Sequence, residues 1–395
     1  MTKRLFDQDS YCCEFKAVVE KVIPVQLGYH VVLDQTAFFP ESGGQSADTG
    51  LLNGLEVTGV QEKDGVIYHI MNQPLEPGEE VFGVISWDER YDKMQQHSAE
   101  HIVSGLVYSR FGYHNVGFHL GNEICTMDFD GPLTKEQLWD IECFANEAVY
   151  EDLLIEVLYP SGKELSDCDY RSKIEMEGSI RLVQIMGYDL CACCAPHLHR
   201  TGEIGLIKLI ERQNYKGGVR ISMVSGRRAL VDYDRKKDSI SKISEILAAK
   251  EEMVTVAVER LKQENEELRL NLRRQQMLLV SYKAKDISTD TGVICCFESE
   301  LQGEAPRELV NRIIQKGVTL CAVFYGAEDG GYRYVLGGNI DDVRPIGREL
   351  NEKFQGHGGG SSKMVRGLVK GDQEAIGRFF DNYKGTDCDK PVPID

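Results

Sequence analysis

Two short stretches of the sequence place candidate metal ligands four residues apart. HSAEH offers His97 and His101, and CCAPH offers Cys193 and His197. One thiolate and three imidazoles are, in number and kind, the ligands that tetrahedral zinc prefers. We therefore predict one zinc site, and the alternative is that unrelated residues share this spacing by chance. If all four side chains bind, the coordination shell is closed as in structural sites, so a catalytic water must displace a ligand, make the metal five-coordinate or lie elsewhere.

The first pair lies in a stretch with helical spacing. Residues 88–111 place Met94, His97 and His101 at steps of three and four, and they contain no proline and no glycine before Gly105. Two histidines four apart on a helix share one face, so both imidazoles can converge on one ion. CCAPH is expected at the end of a strand. The ligand set is thus predicted to come from one helix and one strand end.

A polar, glycine-rich stretch precedes both pairs. TAFFPESGGQSADTG, from Thr36 to Gly50, is long for a hairpin connection. Gly43 and Gly44 permit positive φ angles and let backbone N–H groups approach a ligand closely. A plain bulged turn is the alternative interpretation.

The length and patterning predict an α+β protein of several domains. A chain of 395 residues exceeds one ordinary core, so two to four domains are expected. Alternating apolar and polar residues predict a small β-barrel in residues 1–87, and a β-sandwich is the alternative. We expect an α+β zinc-binding domain in 88–235, a helical or coiled-coil segment in 236–284, and an α/β domain with a glycine-rich loop in 285–395.

The composition bounds the location of the protein and its partners. No window reaches the roughly 18 to 20 apolar residues of a membrane span, and the N-terminus lacks the apolar core of a signal peptide. We therefore expect a cytoplasmic protein without a membrane partner, whose twelve cysteines are reduced thiols, some of them metal-bound. A net charge of −18 argues against a lysine-covered, sequence-indifferent nucleic-acid binder.

Basic residues are nevertheless concentrated in one stretch. Residues 200–237 hold ten lysines and arginines against four acids. Such a patch suits phosphate contacts, and a merely solvated face is the alternative. The residues that we expect to contact a nucleic acid there are Arg200, Lys216, Arg220, Arg227 and Arg228.

The segment 236–284 carries a heptad seam. Its positions are Val254, Val258, Leu261, Asn265, Leu268 and Leu272. An asparagine inside such a seam is typical of a position that sets the register of a coiled coil. We predict a homodimer through this segment or through the C-terminal domain, and a helical hairpin packed on its own chain is the alternative.

A second glycine-rich run, GHGGGSSKMVRG, spans residues 356–367. We interpret it as a loop able to wrap a phosphate with backbone amides. His357, Lys363 and Arg366 are its candidate nucleic-acid contacts.

The order of these motifs carries a resemblance to a known family. TAFFPESGGQ with DTG, then R-x3-M-x2-HSAEH, GYDLCACCAPHLHRTGEIG and GGVRISMVSGRRAL follow one another along residues 25–232. This order resembles the editing module of alanyl-tRNA synthetases and their freestanding AlaX-type relatives. The coiled-coil segment and the GHGGGSSKMVRG end are similar to the C-terminal domain of the same synthetases, which is also attached to DHH-type phosphoesterases. No aminoacylation domain precedes the module, so the resemblance implies the long freestanding type.

The resemblance implies roles for individual residues. His97, His101, Cys193 and His197 match the zinc ligands of the family. Gly43, Gly44 and Gln45 match the glycine-rich loop beside the editing pocket. Thr36 matches a threonine whose hydroxyl contacts the hydroxyl of a wrongly attached serine.

The implied function is a zinc-dependent deacylase that hydrolyses the ester of mischarged tRNA-Ala, chiefly seryl, with glycyl as a second candidate substrate. No Ser-His-Asp constellation is evident, so a covalent mechanism is not favoured. Two alternatives remain open. One is a zinc-containing tRNA-binding protein without hydrolytic activity, and the other is a relative of the phosphoesterases, although no Asp-His-His triplet occurs in the sequence.

One stretch departs from the family pattern. Where the family has Cys-Gly-Gly-Thr-His, this chain has Cys193, Cys194, Ala195, Pro196 and His197. Two glycines and a hydroxyl are lost, so the loop is stiffer and the pocket or its range of substrates can differ. The nearby Cys191, Cys194 and His199 are expected to be neighbours of the site and not ligands.

Overall fold

The computed structural model describes residues 1–161, 164–165, 168–172, 180–327 and 331–384. The chain divides into two compact units, Met1–Lys242 and Ile243–Asp395. Each unit contains both helices and strands, so the predicted α+β, multidomain class is confirmed. None of the described helices combines the length and the apolar character that crossing a membrane requires.

The first unit begins with a closed barrel of six strands, which confirms the predicted β-barrel. Alternate residues of its strands point inwards, as in β2, where the pattern alternates exposed and buried positions over its first six residues. The enclosed core includes Val31, Leu33, Phe38 and Phe39. In spatial order the barrel strands are β2 (Glu14–Val25), β3 (Gly28–Leu33), β7 (Val66–Met71), β6 (Leu55–Lys63), β5 (Gly50–Leu52) and β8 (Glu80–Ile85).

Two short strands form a separate sheet that is not hydrogen-bonded into the barrel. β1 (Lys3–Arg4) and β4 (Gln35–Thr36) pair in parallel, which brings Arg4 opposite Thr36. The N-terminal segment is thereby attached to the start of the first glycine-rich stretch.

The rest of the first unit is built around one almost fully buried helix. α1 (Trp87–Phe111) is buried at every position from Met94 to Val107 and ends at Gly112, whose φ of 71° suits a left-handed cap. α2 (Lys135–Glu151) starts with a capping box between Thr134 and Gln137. Further helical segments among the described residues are a 3-10 turn (Thr201–Ile204) and α3 (Gly226–Leu247), whose last residues belong to the second unit.

Two antiparallel sheets accompany these helices. The larger one has the order β14-β15-β10-β9, formed by Ile207–Tyr215, Gly218–Ser225, Cys125–Phe129 and Asn115–Leu120. The smaller one has the order β11-β12-β13, formed by Ile155–Leu158, Leu182–Ile185 and Asp189–Ala192. The CCAPH stretch follows β13 directly, at the strand end where it was predicted.

The second unit combines a long helix with a five-stranded sheet. The helices are α4 (Val254–Asp286), preceded by a 3-10 turn (Glu251–Met253), α5 (Ala305–Gln315), α6 (Arg344–Lys353) and α7 (Gln373–Asp381). The sheet order β16-β17-β18-β20-β19 comprises Val293–Phe297, Leu320–Ala327, Gly331–Gly338, Met364–Val369 and His357–Ser361. β16 and β17 are parallel, and the other pairs are antiparallel.

The predicted heptad seam lies on α4. Val258, Leu261, Leu268 and Leu272 are between 47% and 67% exposed, whereas Val254 is buried. Near its end α4 buries Val280 and Ala284 in a core that also contains residues of α5. The seam is thus present on a helix, and the homodimer through it stays a prediction.

The prediction of a glycine-rich loop in the C-terminal region was wrong. His357–Ser361 of that run form strand β19, which pairs with β20 at the edge of the sheet. A Cβ atom on Gly358 would lie 2.4 Å from the Arg366 carbonyl oxygen, and one on Gly360 would lie 2.2 Å from that of Met364. Glycine is therefore required there by close strand pairing and not by a loop that surrounds a phosphate.

Candidate metal centre

The structure brings the four candidate ligands together. One ligand atom from each of His97, His101, Cys193 and His197 lies within 4.8 Å of all the others. The two histidines of α1 share a helix face, as their spacing predicts, and the three imidazoles are buried. Chance spacing of unrelated residues is thus not the explanation for HSAEH and CCAPH, although metal binding by them stays a prediction.

The distances within this cluster fit a tetrahedral zinc ion. Cys193 Sγ lies 3.4 Å from His197 Nε2 and 3.7 Å from His97 Nε2. With zinc–nitrogen bonds of about 2.0 Å and a zinc–sulfur bond of about 2.3 Å, a tetrahedral nitrogen–sulfur edge is about 3.5 Å. The donor set and its spacing therefore suit zinc.

Each imidazole is also oriented by a hydrogen bond at its Nδ1 atom. The Nδ1 atoms face oxygen atoms that can accept a hydrogen bond, which leaves each Nε2 free to bind a metal. The three pairs are His97 Nδ1 with Gln45 Oε1 at 2.9 Å, His101 Nδ1 with Asp189 Oδ2 at 2.9 Å, and His197 Nδ1 with Ser98 Oγ at 3.1 Å. Imidazoles oriented in this way are typical of metal sites.

Asp189 is in turn fixed by an arginine. Arg171 Nε donates to Asp189 Oδ1 at 2.6 Å, and Arg171 Nη2 donates to Oδ2 at 2.9 Å. The carboxylate side chain is 1% exposed, so this ion pair is shielded from water. Arg171, Asp189 and His101 thus form a continuous chain that ends at the candidate metal.

The protonation states of Cys193 and His197 favour metal binding, whereas that of His101 opposes it. Burial opposes a thiolate at Cys193, but the imidazoles of His97 and His197 and hydrogen bonds from His101 and His197 outweigh it and hold the Cys193 pKa well below its usual value. Burial lowers the pKa of His197 to about 3. Burial also opposes charge on His101, but its bond to Asp189 raises the His101 pKa well above the ordinary value. A thiolate and neutral imidazoles are the forms that bind zinc, so Cys193 and His197 are in the binding form, whereas His101 would have to release a proton when zinc binds.

The first glycine-rich stretch forms a tight turn beside the cluster. Ser42 and Gln45 exchange two backbone hydrogen bonds of 3.1 and 3.0 Å, and Gly43 and Gly44 between them have φ angles of 60° and 84°. Two positive φ angles in a two-residue turn define the type I′ geometry. A Cβ atom on Gly44 would lie 2.5 Å from the Phe118 carbonyl oxygen, so only glycine fits there.

Gln45 connects this turn to the cluster. Its side-chain oxygen accepts from His97, and its backbone N–H is used within the turn. The side-chain Nε2 is buried and has no hydrogen-bond partner. In the part of the chain that the structure describes, no group accepts from the amides of Gly43 or Gly44 either. Three unused donors therefore lie on or beside the turn, whereas the backbone N–H of Gln45 is not one of them.

Thr36 is placed within the barrel and not on its surface. Its hydroxyl is fully buried, lies 2.8 Å from His69 Nε2 and accepts from the Phe38 backbone N–H at 3.1 Å. The proposed contact between Thr36 and a serine hydroxyl remains a prediction.

A buried ion pair joins the barrel loop to α1, and no sequence pattern indicated it. The Arg90 guanidinium forms a salt bridge with Asp48 and donates to the Ala37 carbonyl at 2.7 Å, while the Phe39 N–H donates to Asp48 at 2.6 Å. Both ionic side chains are at most 1% exposed. Arg90 belongs to the R-x3-M-x2-HSAEH motif and Asp48 to the DTG motif, but the two residues lie 42 positions apart and neither motif indicates that they pair.

The CCAPH loop is held by a second buried arginine. Arg181 Nη1 donates to the carbonyl oxygens of Cys193 at 2.7 Å and of Ala195 at 3.0 Å. Ala195 packs in the barrel core. Cys194 is exposed, and its Sγ lies 3.5 Å from Ser42 Oγ of the glycine turn. The loop that departs from the family pattern thus contacts the barrel, the turn and the cluster.

The predicted nucleic-acid contacts fall into three groups. Four arginines form ion pairs with acidic residues, which offset part of their charge: Arg200 with Asp152, Arg220 with Asp128, Arg228 with Asp92 and Arg366 with Glu304. Lys363 donates to the Ile340 carbonyl, and Lys216 lies over the ring of Tyr215. Arg227 and His357 are exposed. These eight residues remain predicted contacts.

A cavity of about 530 Å³ lies in the first unit beside the glycine turn. Ser46 and Ala47 of the loop line it, together with Lys93 and Asp92 of α1 and the guanidinium of Arg228. Burial lowers the pKa of Lys93, whose ammonium donates to the Ala47 carbonyl. The cavity therefore offers polar groups of both signs next to the loop that reaches the cluster.

Two family models match parts of this chain. Residues 9–89 match the model of class II (A) tRNA synthetases, and residues 180–222 match the second additional domain of threonyl- and alanyl-tRNA synthetases. The first match covers the barrel, and the second contains Cys193 and His197.

Curated relatives match most of the chain. It is 33% identical over 305 residues to an alanine–tRNA ligase of Ignicoccus hospitalis, which covers 74% of this chain and 33% of the ligase. It is 27% identical over 391 residues to an alanyl-tRNA editing protein of Rattus norvegicus, which covers 92% of this chain and 93% of that protein. An alanine–tRNA ligase of Pyrobaculum neutrophilum is 32% identical, with 95% of this chain and 43% of the ligase covered. The chain thus spans a third to under half of these ligases but nearly all of the editing protein, and it is an AlaX-like relative of alanyl-tRNA editing proteins and alanine–tRNA ligases.

Proposed function

We propose that this protein is a trans-editing hydrolase that deacylates mischarged tRNA-Ala, chiefly Ser-tRNA-Ala and also Gly-tRNA-Ala. The observation that carries the proposal is the bond between Gln45 and His97, which joins the glycine turn to the four-ligand cluster in one site. The similarity to proteins named alanyl-tRNA editing proteins extends over 92% of the chain. The reaction is the hydrolysis of the ester between the amino acid and the terminal ribose.

The cofactor of the proposed site is zinc. His97, His101, Cys193 and His197 would hold it, and the donor types, the 3.4 and 3.7 Å spacings and the anchored Nδ1 atoms all suit that ion. When bound, zinc would supply a positive charge that can polarise an oxygen atom and fix the CCAPH loop against α1. Since four protein ligands close the shell, the arrangement resembles that of structural zinc sites.

The chain itself offers groups suited to ester hydrolysis. The transition state develops negative charge on the carbonyl oxygen, which preorganised donors stabilise. The backbone amides of Gly43 and Gly44 can donate to that oxygen, because neither has an acceptor among the described residues. The Nε2 group of Gln45 is a third buried donor without a partner, and it lies next to His97.

Thr36 provides the proposed selection for serine. Serine exceeds alanine by one hydroxyl, and an apolar synthetase pocket rejects an added hydroxyl only by roughly a hundredfold. A second site that requires a hydroxyl contact can remove this error without attacking correctly charged tRNA. Glycine lacks the hydroxyl, so its removal would depend on the other contacts of the site.

The proposed partner is tRNA-Ala, although the chain carries a net charge of −18. The basic stretch 200–237 and the exposed Arg227 are the proposed phosphate contacts. A homodimer through the exposed seam of α4 remains part of the proposal.

Deacylation by paired variants tests the proposal. Zinc-loaded protein should hydrolyse Ser-tRNA-Ala well above the buffer rate, and His101→Ala should lose this activity because one ligand is removed. As a control, Lys135→Ala alters an exposed residue of α2, outside both the cluster and the basic stretch, and should retain the rate. If the wild-type protein binds Ser-tRNA-Ala but leaves its ester intact, it is a tRNA-binding protein and the hydrolase proposal fails.

A further inference from the structure

The hydroxyl of Thr36 is held by a histidine that belongs to no recognised motif. His69 lies on β7, inside the barrel and fully buried. Its Nδ1 lies 3.0 Å from the Val31 carbonyl oxygen, and its Nε2 lies 2.8 Å from Thr36 Oγ1. A carbonyl oxygen can only accept, so Nδ1 must carry the proton of this ring.

The direction of the second bond follows from the first. Burial lowers the pKa of His69 to about 4, so the ring is neutral near pH 7 and its Nε2 is a bare acceptor. The Thr36 hydroxyl must then donate its only proton to His69. Its oxygen already accepts one hydrogen bond from the Phe38 N–H, at 3.1 Å. A single lone pair remains on Thr36 Oγ1, and it can only accept.

Neighbouring contacts connect this pair to the candidate site. Ala37 follows Thr36, and its carbonyl accepts from Arg90, which lies seven residues before His97 on α1. Ala195 and Cys193 of the CCAPH loop pack against the same barrel core as Ala37. The CCAPH loop therefore contributes to the same barrel core that lies beside Thr36.

We infer that His69 is a positioning residue for substrate selection, because it turns the Thr36 hydroxyl so that only a hydrogen-bond donor can pair with it. This inference rests on the proposed editing function. A serine hydroxyl can donate its proton to Thr36 and is accepted, whereas glycine and alanine offer no such group. The selecting element is thus the pair of Thr36 and His69, not the threonine alone.

Two conservative variants separate this role from a structural one. In His69→Gln the side-chain oxygen can take the place of Nε2 and accept from Thr36. In His69→Asn the amide can take the place of Nδ1 and donate to Val31, but it is too short to reach Thr36. Both introduce a neutral amide into the same buried place, so they form a matched pair.

The ratio of kcat/KM for Ser-tRNA-Ala to that for Gly-tRNA-Ala is the measured quantity. His69→Asn should lower the ratio by roughly threefold to tenfold, the value of one net hydrogen bond, and His69→Gln should retain it. In a Thr36→Val background, His69→Asn should change the ratio no further, because it acts through the threonine.

Other outcomes overturn the inference. An equal loss on both substrates would show that His69 only supports the barrel, and unchanged ratios in both variants would show that it does not select. A nitrogen-15 NMR spectrum in which Nε2 of His69 carries the proton would also overturn it, whether or not the protein is active. Failure of the wild-type protein to hydrolyse either ester would instead refute the proposed function.

Discussion

Replacing Asp189 by asparagine should weaken zinc binding, although it removes none of the four candidate ligands. The carboxylate accepts from His101 at 2.9 Å and is held by Arg171 at 2.6 and 2.9 Å. The amide introduced by Asp189→Asn would keep the size of the group but remove its charge, so His101 loses an anionic partner. Changes to such partners typically cost 10- to 100-fold in metal affinity, which is about 1.4 to 2.7 kcal/mol.

A matched control is available in the same unit. Asp128 pairs with Arg220 through bonds of 2.6 and 2.7 Å, but it contacts none of the four candidate ligands. Zinc dissociation constants can be measured at pH 7 by competition with a chromophoric chelator, with circular dichroism to verify folding. Asp128→Asn should bind zinc like the wild-type protein. The reasoning is refuted if Asp189→Asn binds zinc equally well, or if both variants lose the same affinity.

Four further outcomes are expected. Asp48→Ala should lower the free energy of unfolding in urea by about 3 to 5 kcal/mol, since it leaves a buried arginine unpaired; a loss below about 1 kcal/mol would contradict this. Gly43→Ala should cost about 1 kcal/mol of left-handed strain in thermal unfolding, and Gly44→Ala should cost more because its Cβ also meets a carbonyl oxygen; equal costs would argue against the turn geometry. Arg227→Ala should weaken tRNA binding and reduce the slope of log K against log salt by about 1, and an unchanged slope would remove it from the contacts. Burial lowers the pKa of His69 from 6.5 to about 4. As the pH falls through this window, the unfolded chain takes up a proton before the folded chain does, so the wild-type protein should lose about 3 kcal/mol of its free energy of unfolding and His69→Gln should not. Equal pH profiles of the two free energies would contradict this.

The sequence predicted the parts of the molecule whose patterns are local. Alternation of apolar residues predicted the barrel, because each strand buries every second side chain. The spacing of His97 and His101 predicted a shared helix face, which the structure contains. The burial of this helix was not predicted by an apolar stripe, since every residue from Met94 to Val107 is buried and the helix has no exposed polar face over that length.

Features that depend on distant residues had no such signal. Asp189 belongs to the GYDLCACCAPHLHRTGEIG motif, but it lies 88 positions from His101 and no spacing indicates that the two pair. Arg171 belongs to no motif, so the support of the cluster was not predicted. His69 was missed for the same reason, because it meets Thr36 only across the barrel. The GHGGG run was misread since glycine serves close strand pairing as well as loops, and only the position of β20 distinguishes the two.

The joined glycine turn and zinc cluster are proposed to hydrolyse a wrong ester and to spare the right one. Single-turnover deacylation by the zinc-loaded protein, with Ser-tRNA-Ala and Ala-tRNA-Ala measured side by side, tests this central claim most directly. We expect the seryl ester to be cleared well above the buffer rate while the alanyl ester persists. Seryl hydrolysis at the buffer rate, or equal hydrolysis of both esters, would contradict the claim.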